Sequence, residues 1–254
     1  GVDVSHISRH PELGTSFSDV MNQTGERTFF QYRGANAAFG PEHIPLEKIS
    51  ADILHIGYIL LLDSLDEPDA EYGTVMARVL AEAQAKGFKT SIDVVSEESE
   101  RFKRLVPPAL KYTDYCVVNE IEASATTGIS SRDADGRLIR DNMEPLCRAL
   151  KALGARDWAV VHCPEGSFAV DGDGNYYRQP SLNFPKSEIK GKTGAGDAFC
   201  AAVLYGAYRK RPLPETLKLA SAAAASCLRE KSATAGVLPA DKLWKMIEEY
   251  GFDA

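Results

Sequence analysis

The chain has 254 residues, 29 Lys and Arg against 36 Asp and Glu, a formal net charge of -7, and 44% apolar and 26% charged residues. That length suits one large domain, or one and a half, and the acidic balance argues against broad nucleic-acid binding, because no excess of cations displaces phosphate counterions. No apolar run approaches the roughly 18 to 20 residues of a membrane span, no signal-type segment opens the chain, and five scattered cysteines without a C-x-x-C pair read as reduced, mostly buried thiols of a cytoplasmic protein.

In chain order, residues 15–22 and 27–33 read as strands joined by Gln23-Thr24-Gly25-Glu26, with glycine where a turn wants positive φ. Phe29, Phe30 and Tyr32 load the second strand, and Gly34-Ala35-Asn36 ends it. From about Pro41 the pattern alternates. Residues 52–57 form a short buried strand, 72–86 a helix stopped by Gly87, 90–95 a strand, and 97–105 a helix closed by Pro107-Pro108. Residues 115–119 are a strand and 120–127 a helix. Residues 146–153 are a helix ended by Gly154, followed by strand 158–162. Strands 168–170 and 176–179 flank Asp171-Gly172-Asp173-Gly174, and helices 198–208, 214–228 and 241–250 complete the chain. Such alternation implies a mostly parallel sheet with helices on both faces. The hairpin divides the chain into a small β appendage over 14–36 and an α/β core over 37–254.

The stretch Lys190-Gly191-Lys192-Thr193-Gly194-Ala195-Gly196-Asp197-Ala198-Phe199 carries the most chemistry. Small residues crowd a turn just before an Ala-rich helix. Backbone N–H groups at a helix start make an anion site, and glycines let phosphate oxygens approach them. Asp197 falls in the first turn beside any bound anion. There a carboxylate is a poor phosphate ligand but a sensible base for a hydroxyl attacking the phosphate. A Walker A loop is excluded, because Lys186 stands where that motif needs Gly. A dinucleotide fingerprint fails because Phe199 takes the third glycine position. Read as structure alone, the stretch is a glycine-rich turn with an aspartate favouring the helix dipole.

Gly194-Ala195-Gly196-Asp197-Ala198-Phe199 resembles the C-terminal signature of the ribokinase-like (PfkB-type) carbohydrate kinases. Asn119-Glu120-Ile121-Glu122, at a strand end, fits the family's N-x-x-E motif, and Gly34-Ala35-Asn36 resembles the end of its lid hairpin. The helix around Ala222 to Ala225, followed by Gly236-Val237-Leu238-Pro239, resembles the region that wraps the adenine. The resemblance implies a three-layer α/β/α fold with a mostly parallel central sheet and a small β lid. It also implies γ-phosphoryl transfer from Mg-ATP to a sugar hydroxyl. Under it Asp197 is the base and the N–H groups of Gly194, Ala195 and Gly196 the anion hole, each donor worth about 3 to 4 kcal/mol in the transition state. Asn119 and Glu122 would organise Mg²⁺ and its waters, and Asn119, Thr193, Gly166, Ala223 and Gly236 would meet the nucleotide. Arg33 and Asn36 would join Asp197 on the sugar side. Apart from the resemblance, Glu122 is a helix N-terminal carboxylate, Asn119 a strand-end cap, and Arg33 a solvated hairpin residue.

The chain also departs from the family pattern. Gly191-Lys192-Thr193 stands where members usually read D-T-x, and that Asp often helps hold a monovalent cation, so potassium activation is not implied here. Asp93-Val94-Val95-Ser96-Glu97 stands where many carry D-x-N-x-R, and Pro164-Glu165-Gly166-Ser167 resembles the nucleotide-side loop only loosely. Gly1-Val2-Asp3-Val4 matches the segment that follows the family's first quarter, so the expectation is an N-terminally incomplete kinase. Such a chain alone would phosphorylate weakly and expose sheet edge that a partner covers. Nucleoside kinases share the fold, which keeps adenosine-like acceptors open; the other alternative is a non-catalytic nucleotide or sugar sensor that kept the pocket but lost turnover. Phe29 and Phe30 suggest a homodimer through the lid. The expected partners are a small sugar and ATP, without nucleic acid or membrane. The five histidines show no metal spacing, His55 reads as a core residue, and Asn22-Gln23-Thr24 is a sequon that a cytoplasmic protein never uses.

Overall fold

The chain opens with an antiparallel pair, β1 (Phe17–Gln23) and β2 (Glu26–Tyr32), with Phe17 opposite Tyr32. The structure, a computed structural model, describes residues 2–23, 26–95 and 99–252. Thr24 and Gly25 of the expected turn, and with Thr24 the end of the sequon, lie outside them. The pair is a sheet of its own, and Phe17, Met21, Phe29 and Phe30 are exposed on it. Its base is tied to the rest of the chain. Arg33 ion-pairs with Asp63, and the Ala37 carbonyl accepts the N–H (3.0 Å) and hydroxyl (2.9 Å) of Ser64.

There follow β3 (Ile53–Ile59), α1 (Asp63–Asp66), the two-residue strands β4 (Pro68–Asp69) and β5 (Gly73–Thr74), α2 (Val75–Ala85) and β6 (Lys89–Val94). Next come α3 (Arg101–Leu110), β7 (Tyr115–Asn119), α4 (Glu120–Thr127), α5 (Met143–Leu153), β8 (Trp158–Cys163), β9 (Gly166–Val170) and β10 (Tyr176–Pro180). The chain closes with α6 (Ala195–Tyr208), α7 (Leu213–Cys227) and α8 (Ala240–Tyr250). Six strands form the main sheet in the order β10-β9-β8-β7-β6-β3. Those from β3 to β8 run parallel, and β9 and β10 are antiparallel additions.

The central strands β7, β8 and β9 are almost wholly apolar because both of their faces are covered, whereas the edge strand β3 leaves His55 and Gly57 exposed. On β7, Cys116 and Val118 join the core under α2 to α5, whereas Val117 joins the core under α6 to α8. On β8, Ala159 and Val161 divide from Val160 in the same way. The period-2 geometry of a strand thus feeds two separate hydrophobic layers.

The helices expected over 146–153 and 198–208 each start three residues earlier, at Met143 and Ala195, and two others differ more instructively. The helix expected from residue 72 starts at Val75, because Thr74 takes the N-cap and its hydroxyl accepts the Ala77 N–H (3.1 Å). The helix expected over 97–105, of which residues 97 and 98 lie outside the described residues, runs from Arg101 to Leu110 with Pro107 and Pro108 inside it. An interior proline costs about 3 kcal/mol. Each large apolar side chain buried returns about 1.5 to 3 kcal/mol, and Phe102, Leu105, Val106, Ala109 and Leu110 are all buried. Packing of the stripe therefore outweighs the break. Pro108 also finds room against Gly73, where a Cβ would lie 3.1 Å from the ring.

Candidate active site

The C-terminal ends of β3, β6, β7 and β8 point to the same edge of the sheet, the edge at which open α/β folds hold ligands. Tyr58, Asp93, Asn119 and His162 sit at those ends. The β7–β8 register sets Asn119 directly beside His162. The start of α6 comes down onto this row: a Cβ on Gly196 would lie 3.4 Å from His162 Cε1, and the Phe199 ring lies 4.9 Å from the imidazole.

Gly194 is the N-cap of α6 with φ +83°, and a Cβ there would lie 2.3 Å from the Ala233 carbonyl oxygen. Only glycine combines that left-handed backbone with so close an approach. No side chain caps the helix, so its first-turn N–H groups and its dipole face outward, as an anion site requires. Asp197 lies in that first turn, exposed, with its Oδ1 accepting a hydrogen bond from the Tyr58 hydroxyl.

Electrostatics knit the row together. Burial, then the Glu122 carboxylate and, more weakly, Asp197 push Asp93 up to about 8, against the pull of the Val94 N–H at 2.8 Å. Burial first and the bond to Asp197 second hold the Tyr58 phenol well above its usual range, so it remains a donor. Burial brings His162 down to about 4, leaving it neutral near pH 7. Three carboxylates, Asp93, Glu122 and Asp197, thus share one field at the strand ends.

Asn119 and Glu122 form a reciprocal capping box on α4. The Asn119 Oδ1 accepts the N–H of Ile121 (3.0 Å) and of Glu122 (2.9 Å), and the Glu122 carboxylate accepts the N–H of Asn119 (2.9 Å). Both roles read from sequence apart from the resemblance are therefore present. Thr193 is exposed beside Gly194. Gly191 has no room for a side chain, since a Cβ would lie 2.9 Å from the Glu230 carbonyl oxygen. Gly236 packs 2.6 Å from the Ser226 carbonyl by the same measure, which closes residues 226–236 over the end of α7 and against the turn before α6. Ala223 is buried in α7, and Gly166 opens β9 at φ +148° against Gln179. Arg33 is engaged by Asp63, and Asn36 lines a cleft of about 320 Å³ with Arg9, His10, Phe39 and His43. Among the described residues no hydrogen bond or ion pair joins Arg33 or Asn36 to Asp197.

Sequence reasoning had no role for Tyr58 or His162 and saw Asp93 only as a motif remnant. The available signal was positional: each is a polar residue at the next-to-last position of a strand.

The family model described as pfkB family carbohydrate kinase matches residues 1–241. Among curated proteins the chain is similar to a cytidine kinase of Thermococcus kodakarensis, at 26% identity over 86% of this chain and 70% of that protein. Among solved structures it resembles Arabidopsis thaliana ribokinase complexed with ribose and ATP, with a TM-score of 0.70, 20% identity, and coverage of 93% of this chain and 70% of that one. It also resembles an E. coli protein described as a ribokinase II candidate, in complex with ATP and Mg²⁺, with a TM-score of 0.72, 17% identity, and coverage of 94% and 73%. The fold is ribokinase-like α/β, with a mixed, mostly parallel sheet.

Proposed function

The chain belongs to the pfkB family of carbohydrate kinases, and on that premise we propose that it transfers the γ-phosphoryl group of Mg-ATP to a hydroxyl of a sugar. The observation that carries this reading is the placement of Asp197: first turn of an uncapped helix, exposed, and oriented by Tyr58 at the end of β3. With Oδ1 engaged by Tyr58, the other carboxylate oxygen is the one to take the acceptor's proton, a role worth roughly 10² to 10⁴ in rate. The N–H groups of Gly194, Ala195 and Gly196 would receive the charge that develops on the transferred phosphoryl group.

Mg²⁺ prefers hard oxygen donors and keeps several waters. The shared field of Asp93, Glu122 and Asp197 fits that preference. Asn119 and Glu122 would hold the ion's water shell, and the ion would neutralise phosphate charge. Asn119, Thr193 and Gly166 would border the phosphates, and Ala223 and Gly236 would shape the floor under the adenine. Residues 14–36 serve as the lid over the 37–254 core, with Arg33 and Asn36 at its base near the acceptor and its exposed aromatic faces available to a second lid in a homodimer. The location consistent with this role is the cytoplasm. No helix among the described residues is long and apolar enough to cross a membrane.

A nucleoside acceptor is the second reading, favoured by the similarity to a cytidine kinase. ADP release, measured with a panel of sugars and nucleosides for wild type and Asp197→Asn, tests both. Acceptor-dependent ADP in the wild type, lower by about 10² to 10⁴ in the variant, is expected. No acceptor-dependent ADP from either protein would mark a sensor that binds without turnover.

A further inference from the structure

We propose that His55, Asp93 and Cys200 form a binding site for a thiophilic divalent cation of the Zn²⁺ class, distinct from the oxygen-donor pair Asn119 and Glu122. The three residues come from β3, β6 and α6, and one ligand atom of each lies within 4.8 Å of the others. Residues so distant in sequence meet only because α6 packs across the strand ends.

The donor set is one imidazole nitrogen, one carboxylate oxygen and one sulfur. Zn²⁺ takes all three, at about 2.0 to 2.3 Å, and three protein ligands with one open position is its usual non-structural arrangement. Mg²⁺ does not favour sulfur. Closing the trio onto an ion asks for a contraction of about 1 Å, within the reach of side-chain torsions. The surroundings suit the task. His55 Nδ1 is held by Ser91 Oγ at 3.1 Å, on the neighbouring strand and directly in register, so the ring is oriented from behind as metal-ligating histidines are. Its Nε2 faces the gap above Gly57, where a Cβ would lie 3.6 Å from that nitrogen and 3.4 Å from Asp93 Cβ. The missing side chain keeps the gap open.

Two of the donors lack other partners among the described residues. The Asp93 carboxylate accepts only the N–H of its own neighbour Val94 and has no Lys or Arg beside it. A partly buried carboxylate without a counter-ion is costly. Cys200 is buried and its sulfur makes no hydrogen bond. On binding, the metal–sulfur bond replaces the S–H bond of Cys200, the metal–oxygen bond replaces the proton that Asp93 carries below about pH 8, and both protons leave to solvent.

The proposal does not depend on the kinase reading, because its test reads metal and not turnover. Chelator-treated full chain is titrated with Co²⁺ under reducing conditions. One Co²⁺ per chain with a thiolate-to-cobalt charge-transfer band, displaced by Zn²⁺, is expected. Cys200→Ser should lose the band, His55→Gln at the exposed ligand should weaken Co²⁺ binding at least tenfold, and Glu122→Gln should keep the band. Absence of the band in the wild type, or its survival in Cys200→Ser, would overturn the site. Should Cys200→Ser fail to fold, undiminished Co²⁺ binding by His55→Gln overturns it equally.

Discussion

The hydroxyl of Tyr58, on the edge strand of the sheet, donates to the carboxylate of Asp197, on the first turn of α6, across 139 positions of sequence. Burial and that bond hold the phenol well above its usual range, so near neutral pH it is a donor. It fixes one carboxylate oxygen and so orients the other. Tyr58→Phe should lower kcat about tenfold, as expected when a base loses its orientation, with the KM for ATP unchanged. Steady-state kinetics under saturating ATP would check this.

Gly194 answers to two constraints at once, a φ of +83° and the backbone of Ala233. Gly194→Ala meets both the left-handed strain and the clash. It should cost about 2 kcal/mol or more and raise the KM for ATP by displacing the helix start. Urea unfolding monitored beside ATP saturation would show the two effects together.

Asn119 is at once a helix cap and a proposed metal-shell residue, and substitutions separate the two. Asn119→Ala should cost about 1 kcal/mol of stability, whereas Asn119→Asp keeps the cap and should cost less, what remains being repulsion from the Glu122 carboxylate. If Asn119 orders the Mg²⁺ shell, Asn119→Asp should still lower kcat/KM for Mg-ATP about 10- to 100-fold. Chemical denaturation and kinetics on the same two variants decide it.

Arg132 forks between Glu120 (2.6 Å) and Glu165 (2.8 Å), joining the start of α4 to the β8–β9 turn. The Arg132 guanidinium holds the Glu165 carboxyl at about 2, below its ordinary value of 4.5. A depressed folded-state value stabilises above the unfolded value, so the benefit is complete above pH 4.5 and fades as pH falls toward 2. Glu165 is about one-third exposed, so solvent screening reduces the pair to about 1 kcal/mol at pH 7. Glu165→Gln should lose that at pH 7 and well under half of it at pH 3, measured by urea unfolding at both.

The elements were legible where local signals agreed. Strand 115–119 and helix 120–127 match β7 and α4 residue for residue, because an apolar run meets Asn119 and Glu122, which cap the helix within four residues. The turn before α6 was legible for the same reason, since glycines, an acid and an Ala-rich helix are adjacent, although the helix starts at Ala195, three residues before the expected 198. Pro107 and Pro108 misled, since the burial that carries α3 through them comes from β5, β6 and neighbouring helices. Tyr58 and His162 stayed silent because their meaning lies in strand register and in what α6 brings above them. The place of Arg33 depends likewise on Asp63, thirty positions away.

Cys116 and Cys147 lie in the layer under α2 to α5, and Cys200 and Cys227 in the layer under α6 to α8. Burial raises the thiol pKa at all four. An alkylating reagent therefore meets thiolate only when a layer breathes open. Labelling time courses resolved by peptide mapping become two clocks within one chain, timing the transient opening of each side of the sheet independently.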